Sequence, residues 1–284
     1  MAKKKILLFS DDLRMSSGVG TMSREFVLGT LKHYDWVQVG GAIKHPDSGK
    51  VVDMNESVRK ETGIKDASLK IYPVDGYGSP ELLRYLMTAE KPDAILHYTD
   101  PRFWEWLYQM EHEIRQHIPI FYYNIWDDLP YPIWNEPFYE SCDLIMNISK
   151  QTVNIVDNVR KDVPTNEWNN TYIPHGINHK NFYPINKGHE KYDDLIKFRK
   201  IMTGGREYDF IVFWNNRNIR RKLPGDVIMA YKTFCDMLPT NKAKRCALVM
   251  HTQPKDPNGT DLPAVVSAVC PEYDVIFSSQ KLDD

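Results

Sequence analysis

The chain has 284 residues, a formal net charge of −2, 42% hydrophobic residues and 26% charged residues, a length that suggests about two domains, each able to bury its own core. The charge gives no general attraction to nucleic acid or anionic membrane, and no apolar run approaches the ~20 residues needed to span a bilayer. Cys142, Cys235, Cys246 and Cys270 lack the C-x-x-C spacing of a zinc site and the pattern of a disulfide framework, so the expected compartment is a reducing cytoplasm.

The opening MAKKKILLF has the basic start of a signal peptide, but its apolar run is only four residues long before Ser10, Asp11 and Asp12. It reads as a first β-strand. TMSREFVLGTLKHY follows with Met22, Phe26 and Leu31 near helical spacing and Thr21 as the expected cap. WVQVGGAI is the next strand. SPELLRYLMTAEKP is a helix opened by Ser79 and Pro80 and closed before Pro92, and DAILHYT is the strand after it. FWEWLYQMEHEIRQH reads as one helix, IPIFYYNIW and CDLIMNIS as strands, and KQTVNIVDNV as a short helix before Pro164. Strands separated by helices predict an α/β fold with a parallel sheet covered on both faces.

The pattern breaks at the polar stretch NKGHEKYDDLIKFRKIMTGGRE, a connector with one short helix, and the βα rhythm restarts at YDFIVFW. The expected organisation is therefore two doubly wound, Rossmann-like units: residues 1–180, a linker over 181–206, and a second domain over 207–284.

Ligands of open parallel sheets sit beyond the carboxyl ends of the strands, so the loops there carry the candidates. In SDDLRMSSGVGT, Gly18 and Gly20 permit backbone amides to approach a phosphate or sugar at the start of a helix; a ligand-free glycine turn is the alternative. A nicotinamide site is rejected, because the third glycine of G-x-G-x-x-G is missing and no carboxylate follows the second strand. In YNIWDDLPYPIW, Asp127 and Asp128 invite a metal reading, but neighbouring side chains on an extended segment point apart and no further ligand cluster is visible. A buried Asp127 contacting substrate hydroxyls is the better functional reading, with a plain Asp-Pro turn as its competitor. His97, Asp100 and Trp104 hold an equivalent post-strand position, where His97 is either a core histidine or a site residue. Finally, FIVFWNNRNIRRKLPGD ends a strand in Arg217, Arg220, Arg221 and Lys222. Planar forks beside a point charge suit phosphate oxygens.

These segments resemble the retaining family 4 glycosyltransferases of the GT-B fold. YIPHGINHKNFYP is similar to that family's I-P-N-G-V-D-x-x-x-F-x-P, with His175 in place of its Asn, and NRNIRRK is similar to its G-R-N-x-x-R-K, matching Arg217 and Lys222 to the pair on the donor diphosphate. SGVGTMSREF resembles its glycine loop, and DLIMNISKQT its D-x-I-x-x-x-S strand, which places Ser149 near the cleft. Where the family carries a histidine, Trp126 stands here, and Asp127 is the matched carboxylate. The resemblance implies transfer of a sugar from a nucleotide-diphosphate donor to an acceptor hydroxyl, with retention, without a metal and without a cofactor. It places Gly18, Gly20, Arg217, Arg221 and Lys222 on the donor and His97, Asp127, Ser149 and His175 on the acceptor or sugar, with Asp127, Arg217 and Lys222 as the catalytic residues. The acceptor is open between a glycan, a small molecule and a modified nucleic acid. The family's E-G-F-G loop has no counterpart, and the second domain offers three strands where a doubly wound unit has about five or six. The expectation is a half-built second domain whose apolar edge is covered by a second polypeptide or a second copy. Two other readings stand beside transfer: a nucleotide-sugar or glycan-binding protein without turnover, and a nucleic-acid-binding protein using RNIRRK with Trp214 and Tyr208 as stacking groups.

Overall fold

The computed structural model describes residues 2–42, 45–166 and 168–278, and the chain divides into two compact units, Met1–His179 and Lys180–Asp284. The first unit contains strands β1 (Lys4–Asp11), β2 (Tyr34–Gly41), β3 (Val52–Asp53), β4 (Leu69–Pro73), β5 (Ala94–Tyr98), β6 (Ile120–Asn124), β7 (Leu144–Asn147) and β8 (Asn170–Tyr172). They form one sheet in the order β3-β4-β2-β1-β5-β6-β7-β8, parallel throughout except where β3 runs against β4.

Successive side chains on a strand face opposite ways, and β1 uses both. Leu7 and Phe9 enter one core with Ile95, Tyr122 and Ile145, while Leu8 enters the other with Trp36, Leu96 and Tyr123. Burial on both faces is why the strand reads as an unbroken apolar run. The helices α1 (Gly18–Thr30) and α2 (Asn55–Thr62) supply Val27 and Val58 to the second core. The first core takes Leu83 and Leu86 from α3 (Pro80–Ala89), Leu107 from α4 (Glu105–Gln109), Ile114 from α5 (Glu111–Ile114), Tyr139 from α6 (Glu136–Glu140) and Ile155 from α7 (Lys150–Val159).

Two expected elements differ. Ser17 rather than Thr21 caps α1, accepting from Gly20 N at 3.0 Å, because Ser17 is extended just ahead of the helix, where its hydroxyl reaches the third amide, while Thr21 already lies inside it. The single helix expected over 103–117 is a 3-10 turn at Pro101–Trp104 followed by the separate α4 and α5. Trp104, Leu107, Tyr108, Met110 and Ile114 are all buried, and one straight helix has too narrow a face to deliver all five to the core.

The end of α3 is tied to the sheet through Glu90, which is 6% exposed. Its carboxylate accepts from Tyr72 Oη at 2.7 Å, Lys70 Nζ at 2.9 Å and Lys5 Nζ at 3.1 Å. Burial alone would push this carboxyl up, but the bonds from Lys70, Tyr72 and Lys5 outweigh it and hold the pKa down to about 2.

The second unit begins with α8 (Tyr192–Met202) and contains β9 (Phe210–Asn215), α9 (Pro224–Asp236), α10 (Thr240–Ala243), β10 (Cys246–His251), α11 (Leu262–Val269) and β11 (Asp274–Phe277). Its three strands are parallel in the order β11-β10-β9. Ile228, Tyr231 and Cys235 of α9 and Leu262 of α11 pack on Leu248 and Met250 of the central strand. On the edge strand β9, Phe210 and Phe213 stay 51% and 59% exposed. All four cysteines are buried free thiols, and among the described residues no helix is long and apolar enough to cross a membrane.

Removing the Glu90 carboxylate strands two lysines and a tyrosine hydroxyl, so Glu90→Ala is expected to cost about 2–3 kcal/mol at neutral pH. Because the folded pKa lies below the ordinary 4.5, the contribution is complete above that value and lost as pH falls towards about 2. Chemical denaturation of parent and variant checks this: the gap should narrow on acidification, and a gap independent of pH contradicts the network.

Candidate functional site

In the second unit, parallel β9 and β10 deliver their following loops to the same edge. Asn218 is fully buried between those loops. Its amide nitrogen donates to the carbonyls of Gln253, Pro254 and Thr260 at 3.2, 3.3 and 2.7 Å, and its Oδ1 accepts from Thr260 N at 3.2 Å. Gly259 completes the clamp, since a Cβ there would lie 2.0 Å from the Asn218 carbonyl oxygen. Arg217 Nε donates to Asp256 Oδ2 at 3.2 Å, yet its side chain is 64% exposed and its terminal nitrogens remain open. The Asn258 amide and the Arg217 guanidinium hold the Asp256 carboxyl below its usual range against the opposing effect of burial.

Arg220–Lys222 then form one 3-10 turn, and Leu223 adopts φ 46°, the left-handed region, before Pro224 opens α9. A β-carbon at that φ is strained by about 1–3 kcal/mol, the cost of swinging the turn directly onto the helix start. No side chain caps α9, but Pro224 has no N–H and the Asp226 and Val227 amides donate to Leu223 O at 3.1 and 3.3 Å, so the helix start adds the Gly225 amide and the positive dipole end next to the Arg220–Lys222 turn. Arg220 and Arg221 are exposed, Lys222 is half-buried, and none of the three has an ion-pair partner among the described residues. Asp226 is the acidic residue in the first turn of α9. The arrangement can take a multiply charged anion.

The stacking groups of the nucleic-acid reading are not offered to solvent. Tyr208 is 6% exposed, with its hydroxyl on Asp274 Oδ2 at 3.0 Å, and Trp214 packs against the helix-covered core.

In the first unit the loops after β1, β4, β5, β6 and β7 meet along the carboxyl edge. Asp12 is buried and grips Arg14 at 2.7 and 3.0 Å, which fixes the loop ahead of α1. Gly20 is needed for packing: a Cβ would lie 2.7 Å from Met15 O and 2.9 Å from Asp12 O, and its N–H already serves Ser17. The expected donor contact at Gly20 is therefore corrected. Gly18 faces open space, and its amide has no partner among the described residues.

His97 is not a surface contact. It is fully buried, with Nδ1 2.5 Å from Tyr108 Oη and its ring stacked on Tyr122 at 5.2 Å. Burial lowers its pKa to about 3, so it is a neutral core histidine. The side chain faces the α3–α7 layer, and the strand continues past it to Tyr98 and Thr99. Trp104 is likewise fully buried. Asp127, expected to be buried, is exposed. Asn124 Oδ1 takes the Trp126 amide at 3.1 Å, ending β6 and turning Asp127–Pro130 into solvent. Ser149 caps α7, accepting from Thr152 N at 3.0 Å and pairing with Thr152 Oγ1 at 2.9 Å. Its hydroxyl is thereby used in structure, and Thr152 Oγ1 in turn holds Trp126 O at 2.9 Å.

His175 does reach this edge. Tyr123 Oη donates to Ile173 O at 3.0 Å, and the His175 ring stands edge-on to Tyr98 and Tyr123 at 6.0 and 5.4 Å. The tyrosines cover one side of the imidazole and push its pKa down; the other side is open.

Sequence reading passed over Asp11, Tyr77, Arg102, Phe103 and Trp134. Asp11 ends β1, with Thr99 Oγ1 3.4 Å from its Oδ1, and Asp100 and Arg102 pair at 2.5 Å. The aromatic clusters TDPRFWEW and IWDDLPYPIW, each just beyond a strand, were the available signal. Among the described residues no group of three or more His, Cys, Asp or Glu is placed to hold a metal ion.

No family model matches the sequence, and no curated protein matches it. Solved structures do. The Escherichia coli trehalose-6-phosphate structure bound with UDP-2-fluoro glucose gives a TM-score of 0.61 at 11% identity, over 99% of this chain and 74% of that one. The α,α-trehalose 6-phosphate synthase of Burkholderia multivorans gives 0.57 at 12% identity, with the same coverage. The MnaA–UDP structure from S. aureus gives 0.50 at 15%, over 98% and 69%. These identities show the fold alone: two Rossmann-like units of the GT-B plan, the second with a three-stranded parallel sheet.

Burial raises the Asp11 carboxyl above its ordinary 3.8, and the Thr99 hydroxyl offsets this only in part. A raised carboxyl favours the fold while protonated, so its contribution is present below the ordinary value and lost as pH rises through the folded one. Asp11→Asn is therefore expected to unfold at a higher temperature than the parent near neutral pH, with the difference closing towards about pH 3. A difference that grows on acidification would contradict the placement of Asp11.

Proposed function

We propose that this chain transfers a sugar from a nucleotide-diphosphate donor to an acceptor hydroxyl, without a metal or cofactor and with retention at the sugar carbon. The observation that carries it is the group Arg220, Arg221 and Lys222, uncompensated at the uncapped start of α9, with the open guanidinium end of Arg217 beside them. As the glycosidic bond breaks, negative charge grows on the leaving diphosphate. Fixed cations at the positive end of a helix stabilise that charge more in the transition state than in the bound donor, the task a divalent ion performs elsewhere. The solved neighbours support the same direction, since one was bound with UDP-2-fluoro glucose and another with UDP.

In this reading Arg217, Arg221 and Lys222 hold the diphosphate, and Gly18 offers its free amide to the substrates. Asp127 and the open face of His175 contact the acceptor or the transferred sugar. The four reduced, buried cysteines suit work in the cytoplasm.

The test is turnover of UDP- and GDP-sugars by the whole chain, read as release of nucleoside diphosphate. Arg217→Ala and Lys222→Ala should each lower kcat/KM by about 10²- to 10³-fold with the fold retained, Lys222→Ala at a little-changed melting temperature and Arg217→Ala at a lower one, because Arg217 also pairs with the buried Asp256. Unchanged kinetics in both variants would overturn the assignment. Intact nucleotide-sugar binding without release would favour a binding protein instead.

A further inference from the structure

The first unit's carboxyl edge carries a surface that the transfer reading does not use. Tyr77, in the loop after β4, stacks on Phe103, in the turn after β5, with centroids 4.9 Å apart and planes within 10°. Next to Phe103 in the chain, the Arg102 guanidinium lies 5.3 Å from the centre of the Trp126 ring. Trp126 in turn meets Trp134 edge-on at 6.2 Å. Three strand-end loops thus contribute two neighbouring groups, Tyr77–Phe103 and Arg102–Trp126–Trp134, joined through the 102–103 bond, with Tyr77 and Trp126 packed on the core beneath. Phe103 and Trp134 are 53% and 57% exposed. Rings of that size are normally buried, and their exposure on one edge marks a contact surface.

The strip is held in place. Trp106 Nε1 donates to Tyr77 O at 3.2 Å and Trp126 Nε1 to Asp128 O at 3.0 Å, while Arg102 donates through Nε to Asp100 Oδ1 and through its terminal nitrogen to Oδ2. The Tyr77 backbone, the Trp126 indole and the Arg102 fork against which Phe103 and Trp134 rest are therefore held without a ligand.

The charges around it select the ligand. Among the described residues, Arg14 is tied to Asp12 and Asp47, and Arg102 to Asp100. Lys150 is left without a carboxylate partner, against Asp11, Asp127 and Asp128, none of which has a cation. Among the described residues, with Lys50 also on Asp47, the carboxylates of this edge outnumber its cations, which disfavours a phosphate. Carboxylates accept hydrogen bonds and donate none, so they suit the many hydroxyl donors of an uncharged sugar, whose C–H faces lie flat on aromatic rings.

We infer that this strip binds an uncharged oligosaccharide, of at least two sugar units to cover both ring pairs, as the acceptor of the transfer reaction rather than a phosphorylated monosaccharide. The acceptor role rests on the transfer reading; the binding does not.

Ligand-observed NMR on the full chain without nucleotide tests it, using cellotriose, maltotriose, mannotriose and glucose 6-phosphate as probes. At least one trisaccharide should bind saturably and glucose 6-phosphate should not. Trp134→Ala and Phe103→Ala, at exposed positions where folding is undisturbed, should each raise the dissociation constant about tenfold. Binding of glucose 6-phosphate as tight as any trisaccharide, no binding of any trisaccharide, or trisaccharide binding unmoved by both substitutions would each overturn the inference. A separate UDP titration keeps the two proposals apart: saccharide binding without UDP binding sinks transfer and leaves the strip, and the reverse sinks the strip alone.

Discussion

Parallel strands cannot be joined by tight turns, and this constraint shapes everything else in the molecule. Each strand must be followed by a crossover, so all carboxyl ends of a sheet deliver their loops to one edge. In the first unit that edge gathers Asp11, Tyr77, Phe103, Trp126 and His175 from five separate stretches of chain. In the second it gathers the Asn216–Lys222 loop and the loop after β10. The chemistry of the two edges is opposite. One presents carboxylates and aromatic rings, the other cations and an open helix start.

What marks the cations before α9 is their place: among the described residues other cations such as Lys150 also lack a carboxylate, and Arg59 and Arg199 reach backbone carbonyls instead, but these sit together on a clamped loop at a strand end. Arg14, Arg24, Arg84, Arg102, Arg115, Arg206 and Arg245 each find a carboxylate. Arg220, Arg221 and Lys222 do not, although they sit on a loop whose backbone is clamped by the buried Asn218 and whose next residue is held in a left-handed conformation. A rigid loop that leaves its charges open keeps its cations preorganised for an anion, and preorganised charge is what stabilises a leaving diphosphate. Structural arginines elsewhere show what a merely stabilising role looks like.

Much of the fold was legible because burial writes itself into periodicity. The runs around Leu7 and Leu248 are apolar on both faces, and Ser79 with Pro80 announces α3. The segment between β2 and β4 was not legible, since α2 (NESVRKET) contributes only Val58 to the core and is otherwise polar. Of the site, the Arg217–Lys222 cluster was readable from its place after a strand. His97, Gly20 and Ser149 misled for one shared reason: each lies at a strand end or at the helix start that follows one, where function is expected, yet each is used by packing or capping. Asp127 misled in the other direction, because nothing in IWDDLPYP tells whether the turn folds back or outward. The ring strip was hidden because stacking across three loops leaves no spacing in one segment.

The central claim is that the turn before α9 holds a diphosphate. Calorimetric titration of uridine, UMP and UDP, and of the guanosine series, into the parent chain and into an Arg221→Ala/Lys222→Ala double variant tests it directly. The account predicts that affinity rises about tenfold with each added phosphate, that the rise weakens steeply with salt, and that the double variant flattens it. Equal affinity for nucleoside and diphosphate in the parent chain, or a phosphate dependence that survives the double substitution, would contradict it.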